Sequence, residues 1–416
     1  MENLKAPKGT RDIFYPEVKK WQFFEEKIRE YFSKALFREI RTPVFERSEL
    51  FIRGIGDATE VVKKEMYTFE DKAKRSMTLR PENTASVVRA LIENNLINDY
   101  FPLRFFYIGP MFRYDKPQKG RYRQFHQFGI EIYGDETPFA DAEVIFSSYD
   151  FLQSIGIKDM EMQINSVGCK ECRPEYISKL KQSAEKSRDY LCADCRRKID
   201  TNPLRIFDCK VEGCKKVSEG LPKITDNLCE VCSSHYNDVK KNLEFIGTPF
   251  VENKKLVRGL DYYTKTTFEI VTEGLGTQNA ILGGGRYNDL VKELGGPNMS
   301  GIGFSGGIER ILLLLDTIPP ENGKTVLVAF HSEGQKREAF GLTNFLRSKG
   351  ISTYMDYSSN NLKKQFKKGD KISADFAFIL GEDEIKSGSV SIKNMREKRQ
   401  IIIKREEMEE WLKKNC

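Results

Sequence analysis

Histidine is scarce in this 416-residue chain, at three residues, His126, His235 and His331, and tryptophan is scarcer, at two. None of the three histidines stands beside a nucleophile signature, so the sequence does not suggest a Cys-His or Ser-His-Asp hydrolase. No run of 18 or more apolar residues occurs, which argues against a membrane-spanning helix. The opening stretch, MENLKAPKGTRDIFYPE, holds no apolar segment of signal-peptide length, and a cytoplasmic location is expected. Internal repeats and low-complexity tracts are absent, and GGGRYNDL lacks the Gly-Lys-Ser/Thr ending of a P-loop.

What the chain does hold is a globular composition: 39% hydrophobic, 31% charged, with 28 Phe and 17 Tyr. That many aromatics excludes disorder throughout. The length suits two or three domains, each able to bury a core. Three blocks emerge. Residues 1–165 carry a helix over 17–36, with Val18, Trp21, Phe24, Ile28 and Phe32 at helical spacing, followed by Tyr- and Phe-rich strands. Residues 166–249 are Lys-rich and hold eight of the nine cysteines. Strand and glycine-loop character returns over 250–318, so the middle block reads as an insertion. Pro319-Pro320 marks a linker. Residues 323–416 alternate short apolar runs (TVLVAF, FAFILG) with helical segments, the pattern of an α/β domain with a mostly parallel sheet. This last block carries 19 Lys and Arg against 13 Asp and Glu, a net +6 out of +7 for the whole chain. A small basic domain of this kind suits a polyanion.

The segment from Arg104 to Gly134 reads as strand, loop, strand. On the second strand, alternation puts Arg123, Phe125, Gln127, Gly129 and Glu131 on one face and Gln124, His126, Phe128, Ile130 and Ile132 on the other. The second set is packing, with His126 structural. A cation, an aromatic, an amide and a carboxylate make a poor packed face and a good binding one. Arg113, Arg121 and Arg123 surround the hairpin, and a guanidinium fork suits phosphate oxygens. Arg258 stands in RGLDYYT. GIGFSGGIERILLLL reads as a glycine-rich loop running into a helix with Arg310 in its first turns and Ile308, Ile311, Leu312 and Leu315 inward.

In order along the chain, KGTRDI, RTPVFERSELFIRGIGDATEVVKKEMYTF, TLRPENTA, FRYDKPQKGRYRQFHQFGIE, LVRGLDYYTKTTFEI, GGGRYNDL, GIGFSGGIER and ILGEDEIKSGSVSIKNM resemble the segments of the class II aminoacyl-tRNA synthetases, specifically the histidyl-tRNA synthetase family. Only Ala58 and Asn83 sit where that family often has other residues. The resemblance implies an α+β catalytic domain over 1–165 and 250–318, an antiparallel sheet flanked by helices, with an inserted domain and a C-terminal α/β anticodon-binding domain. It implies ATP with Mg²⁺, histidine and histidine tRNA as ligands, and a homodimer joined near Pro43, where Ile40, Val44, Phe45, Leu50, Phe51 and Ile52 are otherwise hard to place. By the same resemblance, Arg113 and Arg258 contact the α-phosphate and carry catalysis. Arg121 and Arg310 hold the γ-phosphate end, and Phe125 and Arg310 sandwich adenine. Glu82, Thr84 and Gln127 bind the α-amino group, and Glu131 with Tyr263 reads the imidazole, beside Arg258, Tyr262 and Tyr287. Lys116, Gln118 and Arg123 meet the tRNA acceptor end. The alternative is a non-catalytic paralogue serving as regulatory subunit in histidine biosynthesis; by family pattern it lacks the terminal domain and the phosphate arginines, both present here.

Beyond the family pattern, the insertion is expected to hold structural zinc. Cys169 and Cys172, Cys192 and Cys195, Cys209 and Cys214, and Cys229 and Cys232 form four close pairs within 64 residues. In a reducing compartment such pairs read as tetrahedral thiolate sites. Two four-cysteine sites use all eight, leaving Cys416 free. Alternate and adjacent joining of the pairs both remain open at this level.

Overall fold

The computed structural model describes residues 4–416 apart from 58, 100–101, 117–119, 276–278 and 316–322. Ala58, Gln118 and the Pro319-Pro320 linker therefore lie outside the described residues. Two compact units result, Met1–Ile318 and Pro319–Cys416.

The strands of the first unit are β1 (Arg38–Glu39), β2 (Phe45–Arg47), β3 (Tyr67–Glu70), β4 (Ser76–Leu79), β5 (Arg104–Phe112), β6 (Gln124–Tyr133), β7 (Met160–Ser166), β8 (Val251–Glu252), β9 (Thr264–Thr272), β10 (Ala280–Arg286) and β11 (Gly301–Gly307). Eight of them make the main sheet in the order β1-β5-β6-β11-β10-β9-β7-β8. The inner pairings from β5 to β7 are antiparallel, and only the edge pairs β1/β5 and β7/β8 are parallel. A second, three-stranded sheet runs β2-β4-β3.

Helix α1 (Val18–Lys34) forms where the periodicity places it and buries Trp21, Phe24, Ile28 and Phe32. Each such side chain contributes about 1.5–3 kcal/mol by leaving water. With Phe128, Ile130, Phe151, Phe268 and Phe304 they build one core on one face of the main sheet. The odd-numbered residues of β6 are thereby committed to the opposite face.

Between β7 and β8 the chain makes four helices, at Cys172–Lys186, Ala193–Thr201, Glu212–Gly220 and Glu230–Phe245. The first three close over a small apolar cluster that includes Tyr176, Leu180, Leu191, Ile199, Ile206, Leu221 and Ile224, whereas the fourth packs Tyr236, Val239 and Leu243 into the main core.

Two expectations are corrected. GIGFSGG is a strand, β11, and its glycines serve close approach rather than a loop. A Cβ on Gly303 would overlap Glu131 Oε2, and one on Gly306 would lie 2.7 Å from the Phe128 ring. In the second unit, the sheet contains Thr325–Phe330, Ser352–Met355, Phe376–Leu380, Ser389–Asn394 and Gln400–Lys404. Only the first three are parallel; the last two pair antiparallel, so the sheet is mixed rather than mostly parallel. The short connections Gly381–Gly388 and 395–399 cannot supply the crossover of a dozen or more residues that parallel pairing needs. The helix Leu362–Lys371 is anchored by Gln365, whose side chain donates to Phe330 O (2.8 Å) and accepts from Phe330 N (3.1 Å). Lys363, Lys364, Lys367 and Lys371 stay exposed on it.

Candidate active site

A cavity of about 360 Å³ opens on the face of the main sheet away from the aromatic core, lined by Glu65, Glu82, Arg113, Arg121, Phe125, Gln127, Arg205, Arg258, Tyr262, Tyr263 and Arg310, among others. Nine residues named from the sequence thus meet in one place, although they come from four separate segments of the chain. The helix Thr84–Glu93 starts below it, and its first turn holds Glu82, whose carboxylate accepts from the N–H groups of Thr84 (2.7 Å) and Ala85 (2.9 Å).

Beneath the cavity floor lies Glu131, fully enclosed. Thr84 Oγ1 donates to its Oε1 at 2.7 Å, and the Tyr287 hydroxyl donates to Oε2. Burial, and secondarily the charge of Glu82, push its pKa up to about 8, although the Tyr287 and Thr84 hydrogen bonds pull the other way. Two donors hold the carboxylate in one orientation, and it remains an acceptor for a further N–H. Tyr262 packs against both Tyr263 (4.7 Å between rings) and Tyr287 (5.6 Å).

The cations are organised by named partners. Arg258 Nη1 donates to Glu269 Oε2 at 2.5 Å. Burial opposes its charge, yet Glu269 keeps its pKa above the ordinary value. Arg113 Nε donates to Pro81 O (2.9 Å), and its guanidinium lies over the Phe125 ring at 5.4 Å. Arg310 Nε donates to Ala280 O (2.8 Å), and Arg121 pairs with Asp115 (3.2 Å). Burial lowers the pKa of Arg113 and Arg310; the charge of Arg121 lowers both further. Five arginines converge on the cavity beside five carboxylates, Glu60, Glu65, Glu82, Asp115 and Glu309, and the mutual repulsion of neighbouring guanidiniums is what a bound anion would relieve. Gln127 Oε1 and Arg258 Nε are buried without a hydrogen-bond partner, while Gln127 Nε2 reaches Ser305 Oγ at 3.4 Å.

Not every expected residue arrives there. The strand begins at Gln124, so Arg123 is not carried on the alternating face. Its N–H donates to Gly9 O, its carbonyl accepts from Arg113 N, and its guanidinium covers Tyr114 at 3.8 Å. Lys116 is exposed next to Asp115. His126 is structural as expected: its ring meets Trp21 edge-on, and Nδ1 lies 2.9 Å from Glu309. Asn83, the unusual residue, is buried and accepts from Thr42 Oγ1 (2.7 Å).

Sequence reasoning missed Glu269, Ser305 and Arg205. Glu269 was detectable, since it is the acidic residue in TTFEIV, on the face opposite Phe268 and Ile270. Arg205 carried no such signal.

The eight cysteines assemble into two clusters, Cys169, Cys172, Cys229 and Cys232, and Cys192, Cys195, Cys209 and Cys214, all sulfurs within 4.8 Å of one another in each. The pairs are nested, outer with outer and inner with inner, a third arrangement beside the alternate and adjacent ones. Individual Sγ separations are 3.8 Å (Cys169–Cys172 and Cys169–Cys229), 4.0 Å (Cys172–Cys232) and 3.9 Å (Cys192–Cys209). A tetrahedral ion with Zn–S bonds of about 2.3 Å sets its sulfurs about 3.8 Å apart. Backbone N–H groups of Cys169 and Cys192 donate to Cys172 and Cys214 sulfurs, both at 3.2 Å. The donor set therefore fits a closed, structural metal site.

Residues 9–197 and 217–311 match the family model described as histidyl-tRNA synthetase, and residues 324–415 match that of the anticodon binding domain. The chain belongs to the histidyl-tRNA synthetase family. This synthetase is 48% identical over 405 residues to the histidine–tRNA ligase of Halothermothrix orenii, with 96% of this chain and 97% of the relative covered. It is 46% identical over 411 residues to that of Pelotomaculum thermopropionicum, covering 98% and 97%. Among solved structures it resembles apo histidyl-tRNA synthetase of S. aureus, with a TM-score of 0.83, 37% identity, and coverage of 99% and 100%. The class II catalytic fold of the synthetase and its terminal anticodon-binding domain are thus shown. The stretch 198–216 falls between the two ranges matched by the catalytic family model.

Proposed function

We propose that this chain activates histidine with ATP and passes the histidyl group to the 3′ end of histidine tRNA. The observation that carries this reading is the Glu131 carboxylate, oriented by Thr84 and Tyr287 directly beneath an arginine-lined cavity. In the first step a carboxylate oxygen of histidine attacks the α-phosphorus of ATP, the bond to the β-bridging oxygen breaks, and pyrophosphate leaves. Displacement at phosphorus needs positioning and fixed positive charge more than covalent help. Arg113 and Arg258 supply that charge at the α-phosphate. Arg121 and Arg310 take the γ-phosphate end, and Phe125 packs on adenine. Glu82, Thr84 and Gln127 hold the α-amino group. Glu131 accepts from an imidazole N–H, with Tyr263 at the other ring nitrogen and Tyr262 and Tyr287 shaping the pocket. Side chains lacking that N–H leave the remaining acceptor position of the buried Glu131 unfilled, which is a strong basis for rejection. Mg²⁺ accompanies ATP, held mainly by phosphate oxygens, and Glu65 is one of the carboxylates that line the cavity. In the second step a terminal ribose hydroxyl of the tRNA attacks the histidyl carbonyl and AMP leaves. Lys116, Gln118 and Arg123 meet the acceptor end in this reading, and residues 323–416 meet the anticodon stem.

The same reading makes the working form a cytoplasmic homodimer with 166–249 as an inserted domain. Of the residues expected at the dimer surface, Val44, Phe45 and Ile52 are exposed, whereas Phe51 is buried within the chain. Zinc in the two thiolate clusters gives the small insertion the cross-links that its core lacks. Among the described residues no helix is long and apolar enough to cross a membrane. The regulatory-paralogue alternative is disfavoured by the matched anticodon-binding domain and by the retained arginines. The deciding experiment is ATP–pyrophosphate exchange with each of the twenty amino acids. Exchange with histidine alone supports the assignment, and its absence, or equal exchange with another amino acid, removes it.

A further inference from the structure

One arginine of the catalytic cavity comes from the insertion. Arg205 lies in a short 3-10 turn, Pro203–Ile206, between the two inner cysteine pairs. Its neighbour Ile206 is fully buried in the insertion core. Arg205 points the other way, into the cavity beside Arg258. A Cβ placed on Gly259 would lie 3.9 Å from both of its terminal nitrogens. It also lines a neighbouring groove of about 240 Å³ that shares Arg258, Leu260 and Tyr263 with the cavity. Its ion pair with Asp208, at 3.2 Å, is made within the same turn, so it orients the guanidinium without tying the turn to the catalytic sheet.

The inner cluster brackets this turn on both sides. Cys192 and Cys195 open the helix Ala193–Thr201, and Cys209 and Cys214 follow the turn. The segment 196–208 is therefore a loop closed at its base by Cys195 and Cys209. An ion shared by four thiolates would fix both ends of that loop, adding to the packing of Ile199 and Ile206 and to the contact of Asn202 and Arg205 with Asp261.

We propose that the inner cluster is a zinc site that holds Arg205 at the catalytic cavity, where its guanidinium takes a phosphate oxygen of the reacting nucleotide. This rests on the reading of the cavity as the nucleotide site. Two sources share that chemistry, ATP and the terminal phosphodiester of the tRNA 3′ end. The cysteines act through Arg205 as positioning residues, and Arg205 itself touches the ligand.

The test uses the full chain purified without chelator, and the variants Arg205→Ala, Cys209→Ser, Cys209→His and the double Arg205→Ala/Cys209→Ser. Bound zinc should be two per chain in the unaltered protein and in Arg205→Ala, and one in Cys209→Ser, with Cys209→His regaining the second. Hydrogen exchange should show residues 196–208 losing protection in Cys209→Ser while strands β6 and β9 keep theirs. Arg205→Ala should lose roughly 10- to 100-fold, the usual scale for a hydrogen bond to a charged group. Loss in pyrophosphate exchange without tRNA assigns the phosphate to ATP; loss only in transfer from preformed adenylate assigns it to the tRNA end. The double variant should be no slower than the slower single one, because both changes remove the same contact. Zinc-free protein, additive losses in the double variant, or an Arg205→Ala effect below about twofold in both steps would each overturn the proposal. If Cys209→Ser does not fold, Cys209→His and Arg205→Ala still decide it. Absence of histidine-dependent exchange in the unaltered chain is a different failure, that of the cavity reading itself.

Discussion

Arg258 and Glu269 face each other across the cavity wall, Nη1 to Oε2 at 2.5 Å, with both side chains largely buried. The pair fixes the direction of the guanidinium and leaves its buried Nε without a partner. A cation aimed in this way needs no reorganisation when charge develops on the phosphorus.

Arg258→Ala is expected to lose on the order of 100-fold or more in histidine-dependent exchange with fold intact. Glu269→Gln keeps the arginine and loosens its aim, so a smaller loss, on the order of 10-fold, should appear in kcat more than in KM. Exchange assays with circular dichroism on both variants check this. Near-normal exchange by Arg258→Ala would make the residue purely structural.

Glu131 yields a prediction that couples function to stability. Its pKa of about 8 in the fold exceeds that of an exposed glutamate, near 4.3. The folded chain therefore binds an extra proton between those values, and stability contributed by this site falls as pH rises through that window. Glu131→Gln removes the titration. Without histidine present, its thermal midpoint should exceed that of the unaltered chain at pH 8, by on the order of 2 kcal/mol in stability, and converge with it near pH 5. Histidine activation should be lost at both. Gly303→Ala, whose Cβ would overlap Glu131 Oε2, should lose activation as well but without gaining stability.

Much of this site could be read along the chain. Alternation on β6 placed Phe125, Gln127 and Glu131 on one face because side chains of a strand have period two wherever pairing continues. It failed at Arg123, one residue before pairing begins. The glycines of β11 were misread because their meaning lies in other strands: Gly303 is required by Glu131, 172 residues earlier. Cysteine spacing announced four close pairs, yet spacing carries no information on which pairs meet, and only the fold of the insertion nests them. Arg205 was invisible for the same reason. Strand direction in the terminal sheet was equally hidden, since short apolar runs look alike in either sense.

The proposed dimer surface yields a separate expectation. Phe45 and Phe69 are half-exposed neighbours on the small sheet, with ring centroids 6.3 Å apart and Val44 and Ile52 also exposed. An apolar patch of this kind is costly to leave in water. Phe45→Asp should convert the chain from dimer to monomer in light scattering at micromolar concentration, with exchange activity reduced. A monomeric, fully active unaltered chain would remove the dimer from the reading.

The terminal domain should separate the two steps of the reaction. It forms a compact unit with its own buried core, including Val326, Val328, Phe330, Phe378, Val390 and Leu412. The catalytic unit likewise has its own core. Among the described residues, those that line the cavity lie before Pro319. The truncated chain should therefore activate histidine at close to the full rate. Charging of tRNA should fall sharply, because most of the chain's net positive charge, including the exposed lysines on Leu362–Lys371, departs with the domain. The full-length enzyme should accordingly show charging that weakens with added salt, as counterion release from phosphates requires, while exchange changes much less. Loss of exchange on truncation would mean instead that the terminal unit supports the catalytic one, and charging insensitive to salt would mean that its lysines do not face the nucleic acid.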